Sequence, residues 1–241
     1  MTDLADLIDR YVEVWNEPDD DARRRSIERL WRPDGAHLTP TREAVGYDAI
    51  VARISDAYKQ FVRDAGYRFR SAGNAVGRRD VAMFNWHMVR PSDDTILAVG
   101  FDFFLLDGQR RIQCDYQFTE PPAGDRVVNE RAERYVAIWN EPDAQTRRRA
   151  VEELWAPDAV HLDSSGEARG RAAIEARAAA MHERLRRERL VARALDNADN
   201  AHGGVRFGWE LATNGSRAGG GFEFLVFNGD GRIAAGYHFD Q

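Results

Sequence analysis

The chain is poor in the residues that mark several classes of protein. It has 241 residues and a single cysteine, Cys114, so it can form no internal disulfide and offers no cysteine-based metal site. The first residues, MTDLADLIDR, have no basic start and no apolar segment, which indicates that there is no signal peptide. No apolar run approaches the ~18 residues that span a bilayer. We therefore expect a cytoplasmic protein with no membrane partner.

Positive charge is also in short supply. Lys59 is the only lysine, and 40 acidic residues outnumber 34 Lys and Arg residues, for a formal net charge of −6. Binding to phosphate groups needs a net basic surface, so nucleic acid is not expected as a partner. The arginine-rich segment at 182–193 has glutamate interleaved, which is typical of a solvated helix face.

The chain does contain a long internal repeat. Tyr11 aligns with Tyr135 at an offset of 124 residues, and the offset falls to 121 near the end of each copy. Solenoid repeats are about 20–50 residues long, so a unit of this length fits one small domain instead. We predict two domains, 1–121 and 126–241, joined by the Pro/Gly-rich stretch at 120–126. The matching segments are RYVEVWNEPD (10–19) with RYVAIWNEPD (134–143), RRRSIERLWRPDGAHL (23–38) with RRRAVEELWAPDAVHL (147–162), GYDAI (46–50) with GRAAI (170–174), and FDFFLLDGQRRI (101–112) with FEFLVFNGDGRI (222–233).

Each copy predicts an α+β domain. Apolar residues at three- and four-residue spacing indicate helices, and period-two runs bounded by turn residues indicate strands. The predicted elements of the first copy are a helix from Leu4 to Trp15 ended by Asn16-Glu17-Pro18-Asp19, a short helix through Ile27, Leu30 and Trp31 ended by Pro33, a strand at 36–39, a helix from Gly46 through Phe61, and strands at 81–90, 96–106 and 111–118. This order predicts about three helices packed on one side of a curved, mostly antiparallel sheet.

The repeated motifs resemble those of the SnoaL-like and ketosteroid isomerase-like proteins of the nuclear transport factor 2-like superfamily. The motifs are RYVxxWNEPD, LWxPDxxHL, Gly-x-x-Ala-Ile, and a late Phe-acid-Phe strand followed by an Asp/Asn-Gly turn and Arg-Ile. The resemblance implies two tandem cone-shaped, cystatin-like domains that form a pseudo-dimer within the chain, with a homodimer of two chains as the alternative. It implies less about chemistry, because this fold hosts isomerases, cyclases, dehydratases, epoxide hydrolases and non-catalytic members.

The resemblance implies a catalytic group in the second copy. Isomerases of the superfamily place in the cone a tyrosine from the first helix, a carboxylate base from the first strand and a second acid from a late strand. These positions fall on Tyr135, Asp163 and Glu223. Asp163 would take a proton beside a substrate carbonyl, while Tyr135 and a protonated Glu223 would stabilise the charge on the oxygen. Asp163 is equally typical of a turn residue opening the DSSGE loop, so a structural role stays open.

The first copy departs from this pattern. The corresponding residues are Tyr11, Thr39 and Asp102. Threonine cannot act as a carboxylate base, so an isomerase site in this copy is in doubt. His37 shares a strand face with Thr39, as His161 does with Asp163, because side chains alternate along a strand. Both histidines are candidate bases, as in dehydratases of the superfamily, and a structural hydrogen bond is the alternative.

Aromatic residues supply the candidate ligand contacts. They are Trp15, Trp86, Phe101, Trp139, Trp209 and Phe222. Trp15 and Trp139 recur at helical spacing in both copies, which is more typical of a hydrophobic core than of a ligand platform. Asp102 and Glu223 interrupt strongly apolar strands, where a charge is costly unless it is paired or neutral, and they therefore indicate a working cavity.

No metal and no cofactor are expected. His161 and Asp163 supply two ligands from one strand, and His238 is the only plausible third. The leading hypothesis is an isomerase or cyclase that uses general acid/base chemistry on a small apolar carbonyl compound, polyketide- or steroid-like. The alternatives are a non-catalytic small-ligand-binding or assembly protein and, more weakly, a dehydratase or epoxide hydrolase.

Overall fold

A computed structural model describes residues 4–213 and 215–240. The chain divides into two units, Met1–Pro121 and Pro122–Gln241. Each unit combines helices with a seven-stranded sheet, which confirms the predicted α+β class and the tandem organisation. None of the helices in the described ranges combines the length and the hydropathy needed to cross a bilayer.

The first unit begins with helices and ends with a series of strands. Its helices are α1 (Leu4–Val14), α2 (Asp20–Leu30) and α3 (Gly46–Ala57), and α3 continues into a π-helical segment, Tyr58–Asp64. Its strands are β1 (Trp31–Thr39), β2 (Arg42–Val45), β3 (Arg68–Ser71), β4 (Val76–Arg78), β5 (Val81–Arg90), β6 (Thr95–Leu106) and β7 (Ile112–Glu120). They are ordered β2-β1-β7-β6-β5-β3, and β4 also pairs with β5.

The second unit repeats this architecture. Its helices are α4 (Arg126–Asn140), α5 (Ala144–Leu154) and α6 (Arg171–Glu188). Its strands are β8 (Trp155–Asp163), β9 (Gly166–Arg169), β10 (Val191–Ala194), β11 (Asp199–Ala201), β12 (Gly204–Thr213), β13 (Ser216–Phe227) and β14 (Ile233–Asp240). Their order, β10-β12-β13-β14-β8-β9, is the order of the first sheet read from the other edge. Each strand therefore has a counterpart in the other unit.

The first and last strands of each unit pair in parallel. In the first unit this pairing places His37 opposite Asp115, and in the second it places His161 opposite Gly236. The other strand pairs are antiparallel, as in the pairing of β6 with β7. The parallel pair brings residues from the two ends of each unit to one place on the sheet, where the site described below is built.

The second helix is shorter than the sequence predicts. Trp31 does not complete the helix, because α2 ends at Leu30 and Trp31 is extended, with φ −98° and ψ 158°. Pro33 lies within β1 instead of ending the helix. The register between β1 and β7 shifts between Trp31 and Ala36, so the proline falls in an irregular stretch where its missing N–H leaves no gap in the ladder.

The repeated Trp-Asn-Glu-Pro-Asp segment attaches the first helix of each unit to its sheet. The Asn16 side chain donates to the carbonyl of Phe69 and accepts from its N–H, both at 2.9 Å. Asn140 makes the same two bonds to Ala192, at 2.8 and 3.0 Å. Both copies keep this asparagine because only an amide side chain satisfies a backbone donor and acceptor of the same residue.

The repeated aspartates and tryptophans are also structural. Asp19 and Asp143 accept hydrogen bonds from the first turns of α2 and α5 and so cap these helices. The tryptophans of the repeat belong to the two hydrophobic cores between helices and sheet. They are Trp15, Trp31, Trp139 and Trp155.

Replacing Asn140 by alanine should lower the free energy of unfolding by about 1–3 kcal/mol, because the N–H and carbonyl of Ala192 lose their partners. Gln145→Ala is the control, since Gln145 is exposed on α5, and it should change the value by less than about 0.5 kcal/mol. Urea unfolding of the full chain measures both. Equal effects would show that the asparagine does not hold the helix to the sheet.

Candidate functional site

Each unit contains a cavity between its helices and its sheet. The cavity of the second unit has a volume of about 250 Å³ and that of the first about 230 Å³. Tyr135 lines the second cavity and Tyr11 the first, so the repeated tyrosines occupy equivalent places. Both volumes suit a small molecule below drug size.

A buried carboxylate, Glu223 on β13, connects three side chains that line the second cavity. Its Oε1 accepts a hydrogen bond from the Tyr135 hydroxyl at 2.6 Å and lies 3.2 Å from His161 Nε2. Its Oε2 lies 2.9 Å from His238 Nδ1. Tyr135, His161 and His238 come from α4, β8 and β14 and line the cavity, whereas Glu223 lies behind them and is 0% exposed.

Ion pairing with His238 keeps Glu223 ionised. Burial on its own would raise the pKa of this carboxyl, but the charge of His238 and the hydrogen bonds from His161 and His238 lower it to about 2. Burial opposes the charge on His238, yet Glu223 and Asp240 raise the pKa of this imidazole. The expectation of a protonated Glu223 is therefore wrong. The sequence analysis considered His238 only as a metal ligand and so missed the counter-charge.

Arg177 on α6 orients both His161 and Asp163. Its Nη1 donates to His161 Nδ1 at 3.1 Å, and its Nε lies 3.1 Å from Asp163 Oδ2. A guanidinium only donates, so His161 Nδ1 accepts and the ring carries its proton on Nε2, which lies 3.1 Å from the Tyr135 hydroxyl. Burial would raise the pKa of Asp163, but hydrogen bonds from Ser165 and the charge of Arg177 lower it. Asp163 thus lines the cavity as an ionised carboxylate.

The first unit builds a different polar group at the same place. The Tyr11 hydroxyl donates to Asp115 Oδ2 at 2.8 Å, and Trp86 Nε1 donates to Asp102 Oδ1 at 3.1 Å. Gln117 Nε2 lies 3.5 Å from the other oxygen of Asp102. Burial raises the pKa of Asp102 to about 7, and burial together with the charge of Asp102 raises the pKa of Asp115. The sequence analysis expects a neutral buried acid at Glu223 in the second unit. The raised pKa values favour neutral acids in the first unit instead, at Asp102 and Asp115.

Four pairs of equivalent positions account for the difference between the units. They are Thr39 and Asp163, Asp102 and Glu223, Asp115 and Gly236, and Gln117 and His238. A Cβ at Gly236 would meet Trp155 Cη2 at 2.8 Å and His161 Cδ2 at 3.0 Å, so the glycine leaves room for the His161 ring. Glu223 has one methylene more than Asp102 and so reaches Tyr135 directly. In the first unit the equivalent tyrosine, Tyr11, is contacted by Asp115.

His37 does not reach the first cavity. It is 0% exposed and packs against Trp15 with ring centroids 5.4 Å apart. Neither ring nitrogen has a hydrogen-bond partner among residues 4–213 and 215–240, and the nearest acid oxygen, on Asp115, is 3.8 Å away. Burial lowers the pKa of His37 to about 3, so the ring is neutral. This geometry supports neither a catalytic base nor the structural hydrogen bond that was the alternative, and His37 instead packs in the core beside Trp15.

The predicted aromatic contacts divide into three groups. Trp15 and Trp86 line the first cavity and Trp139 lines the second. Trp209 stacks on the His238 ring, with centroids 4.8 Å apart, and so supports the site from behind. Phe101 and Phe222 precede the buried acids by one residue and lie on the opposite face of the sheet, against Phe118 and Phe239.

Sequence reasoning missed Asp115, Arg177 and its counterpart Arg53, and the role of His238. The repeat held the signal that would have found them. The offset of 121 aligns Asp115 with Gly236 and Gln117 with His238, and the offset of 124 aligns Arg53 with Arg177. A position-by-position comparison of the last strands and of the third helices would have exposed these pairs.

His161, Glu223 and His238 are also a group that could hold a metal ion, since their ligand atoms lie within 4.8 Å of one another. A metal-bound histidine normally donates its second N–H to an acceptor. The corresponding nitrogen of His161 instead accepts from the cationic Arg177. The hydrogen-bond pattern therefore favours a proton network over a metal centre.

One family model and several solved structures are similar to parts of the chain. Residues 132–236 match the family model of the SnoaL-like domain, which confirms the resemblance for the second unit. No curated protein matches the chain. A SnoaL-like family protein from Agrobacterium tumefaciens str. C58, named as a suspected isomerase, is 29% identical with a TM-score of 0.45, covering 50% of this chain and 99% of that one.

Two further solved structures are similar over about half of the chain. A suspected polyketide cyclase from Sinorhizobium meliloti is 17% identical with a TM-score of 0.36, covering 46% of this chain and 93% of that one. A protein with a ketosteroid isomerase-like fold from Catenulispora acidiphila, solved with trimethylamine, is 13% identical with a TM-score of 0.35, covering 46% of this chain and 82% of that one.

The two buried acids should respond in opposite ways to neutralisation. Glu223→Gln should destabilise the second unit by about 3–5 kcal/mol at pH 7, because it removes the buried carboxylate that faces the charge of His238 and leaves only the longer contact of this ring with Asp240, at 3.4 Å. Asp102→Asn should stabilise the first unit at pH 8. Burial raises the pKa of Asp102 in the folded state, so its ionisation at pH 8 costs stability, and the asparagine removes this cost. Native-state hydrogen exchange of the amides in β13 and β6 reports on each unit separately.

The contributions of Glu223 and Asp102 to stability should depend on pH with opposite signs. The pKa of Glu223 is about 2 when folded, below the ordinary 4.5, so its contribution to stability is lost as the pH falls from 4.5 to 2. The pKa of Asp102 is about 7 when folded, above the ordinary 3.8, so its cost grows as the pH rises from 3.8 to 7. Similar losses of protection in the two variants at pH 8 would contradict the assigned charge states.

Proposed function

We propose that the second unit, whose residues 132–236 match the family model of the SnoaL-like domain, is a cofactor-free acid/base enzyme of the isomerase or cyclase type. Its substrate is a small apolar carbonyl compound, polyketide- or steroid-like. The observation that carries the proposal is that an ionised carboxylate, Asp163, lines the same largely apolar cavity as Tyr135, His161 and His238. A base and groups that stabilise negative charge are both needed to move a proton beside a carbonyl.

Asp163 is the proposed base. Its carboxylate is held by Arg177 at 3.1 Å and by the Ser165 hydroxyl at 2.6 Å, which fixes its direction at the cavity wall. Its side chain retains 16% exposure, so a substrate C–H can reach it. The ion pair with Arg177 lowers its basicity, and the fixed position offsets this by removing the need to order the base during reaction.

Tyr135 and His161 are the proposed donors to the carbonyl oxygen. In the structure both point toward Glu223 Oε1, while His238 Nδ1 lies within hydrogen-bond distance of Oε2. A substrate oxygen can take over one of the two donors at Oε1, and Glu223 keeps the other donor together with His238. The charge that builds up on the oxygen then lies near the cationic His238 ring, which also lines the cavity.

Non-catalytic ligand binding is the second candidate, and it applies to the first unit. Thr39 and Gln117 replace the base and the cationic ring of the second unit, so the first cavity lacks both groups that the reaction uses. The dehydratase alternative finds less support. It needs a histidine with a free nitrogen, and both nitrogens of His161 are engaged in hydrogen bonds.

Asp163→Asn should lower the rate of proton exchange at least 100-fold, because a general base contributes roughly 10²–10⁴ in rate. The measurement is deuterium incorporation into a small cyclic unsaturated ketone, followed by NMR in deuterated buffer. Asp158→Asn is the matched control, since Asp158 is exposed on the same strand. Equal exchange with wild type and Asp163→Asn would leave ligand binding as the better account.

The pH profile of the exchange reaction should be flat on the acid side and fall on the alkaline side. The pKa of Asp163 is lowered, so the base stays ionised through pH 5, whereas the pKa of His238 is raised, so its charge is lost only above the ordinary range of histidine. His238→Gln, which installs the residue of the first unit, should remove the alkaline limb. A rise in rate between pH 5 and 7 would point to a histidine base instead.

A further inference from the structure

Arg53 on α3 is the counterpart of Arg177 on α6, but it lacks the same partners. Arg177 donates to the ring and the carbonyl of His161, to Gly166 O at 3.2 Å, and pairs with Asp163. These contacts compensate its charge within the protein. In the first unit the position of Asp163 is occupied by Thr39, whose hydroxyl accepts from the Arg42 N–H at 3.0 Å.

One donor of the Arg53 guanidinium is left without an acceptor. Its Nε is buried and has no hydrogen-bond partner in the part of the chain that the structure describes. Its guanidinium carbon lies 5.1 Å from the centre of the Trp15 ring, a cation–π distance. A buried donor without an acceptor is costly, and an anion bound beside it would remove that cost.

Arg53 faces a cavity that is otherwise mainly apolar. The cavity has a volume of about 230 Å³, and Trp15, Phe61, Phe69 and Trp86 provide aromatic walls around the guanidinium. Such a site fits a small molecule that has one anionic group and an apolar body. The walls would bury the body while the arginine pairs with the charge.

The acids behind this cavity, Asp102 and Asp115, attract Arg53 and favour its charged form. Asp102 and Asp115 lie behind Tyr11 and Gln117, which line the cavity, and both are 0% exposed. Burial raises the pKa of each acid, which favours the neutral forms when an anionic ligand enters the cavity. The nearest groups of the network then act as donors and not as competing anions.

We propose that the first cavity binds a small apolar carboxylate, with Arg53 pairing its charge and the aromatic walls holding its body. Thr39 stands where the second unit has Asp163, so Arg53 has no carboxylate partner at this position. The two units then divide their tasks, with anion binding in the first unit. This proposal does not depend on catalysis in the second.

Isothermal titration of the full chain with benzoate and 2-naphthoate, each beside its neutral amide, tests the proposal. At least one carboxylate should bind more tightly than its amide. Arg53→Gln should weaken that carboxylate roughly 10- to 100-fold, as expected for a lost charge-assisted hydrogen bond, and leave the amide unchanged. Arg25→Gln, which removes an exposed arginine of α2, should change neither affinity.

Thr39→Asp is the second variant, because it restores the internal partner that Arg177 has and keeps the arginine in place. It should reduce carboxylate binding to the level of the amide. The proposal is overturned if no carboxylate binds, if the amides bind as tightly as the acids, or if Arg25→Gln weakens binding as much as Arg53→Gln. Deuterium exchange at the second site should persist in Arg53→Gln, so failure here is distinct from failure of the catalytic proposal.

Discussion

The buried carboxylate of Glu223 is the interaction on which the second cavity depends. A carboxylate without solvent is stable only if charges and donors surround it, and Glu223 recruits them from three different elements. Tyr135 comes from the first helix of the unit, His161 from its first strand and His238 from its last strand. Because one group fixes all three, the donors of the cavity wall are already aligned without a ligand.

The two copies stabilise a buried acid in opposite ways. The second unit pairs the acid with a cationic histidine, and glycine at 236 gives the neighbouring His161 ring its space. The first unit has two aspartates with raised pKa values in place of one glutamate, and the histidine beside them, His37, is neutral and lies 3.8 Å from Asp115. The equivalent arginines of the two units also differ. Arg177 forms an ion pair with Asp163, whereas the buried Nε of Arg53 has no hydrogen-bond partner in the described part of the chain. These differences are the basis on which we propose proton transfer in the second cavity and anion binding in the first.

The sequence predicted the fold better than the site. Helical spacing and the NEPD motif located the helices, and the repeat located the tandem organisation, because these signals are local. The tyrosines and late-strand acids were found through the resemblance. The charge state of Glu223 was not, because it depends on His238, which neighbours it only through the pairing of β13 with β14. Trp31 was misplaced because tertiary packing in β1 overrode its apolar spacing with α2.

The most direct test of this account is the titration of the two buried acids by ¹³C NMR of side-chain carboxyl groups in the full chain. Asp102→Asn and Glu223→Gln assign the two signals. The account predicts that Asp102 titrates with a midpoint near 7 and that Glu223 stays ionised down to about pH 2. If both signals titrate near pH 4, the two copies do not hold their acids in different charge states, and the division of function between them has no physical basis.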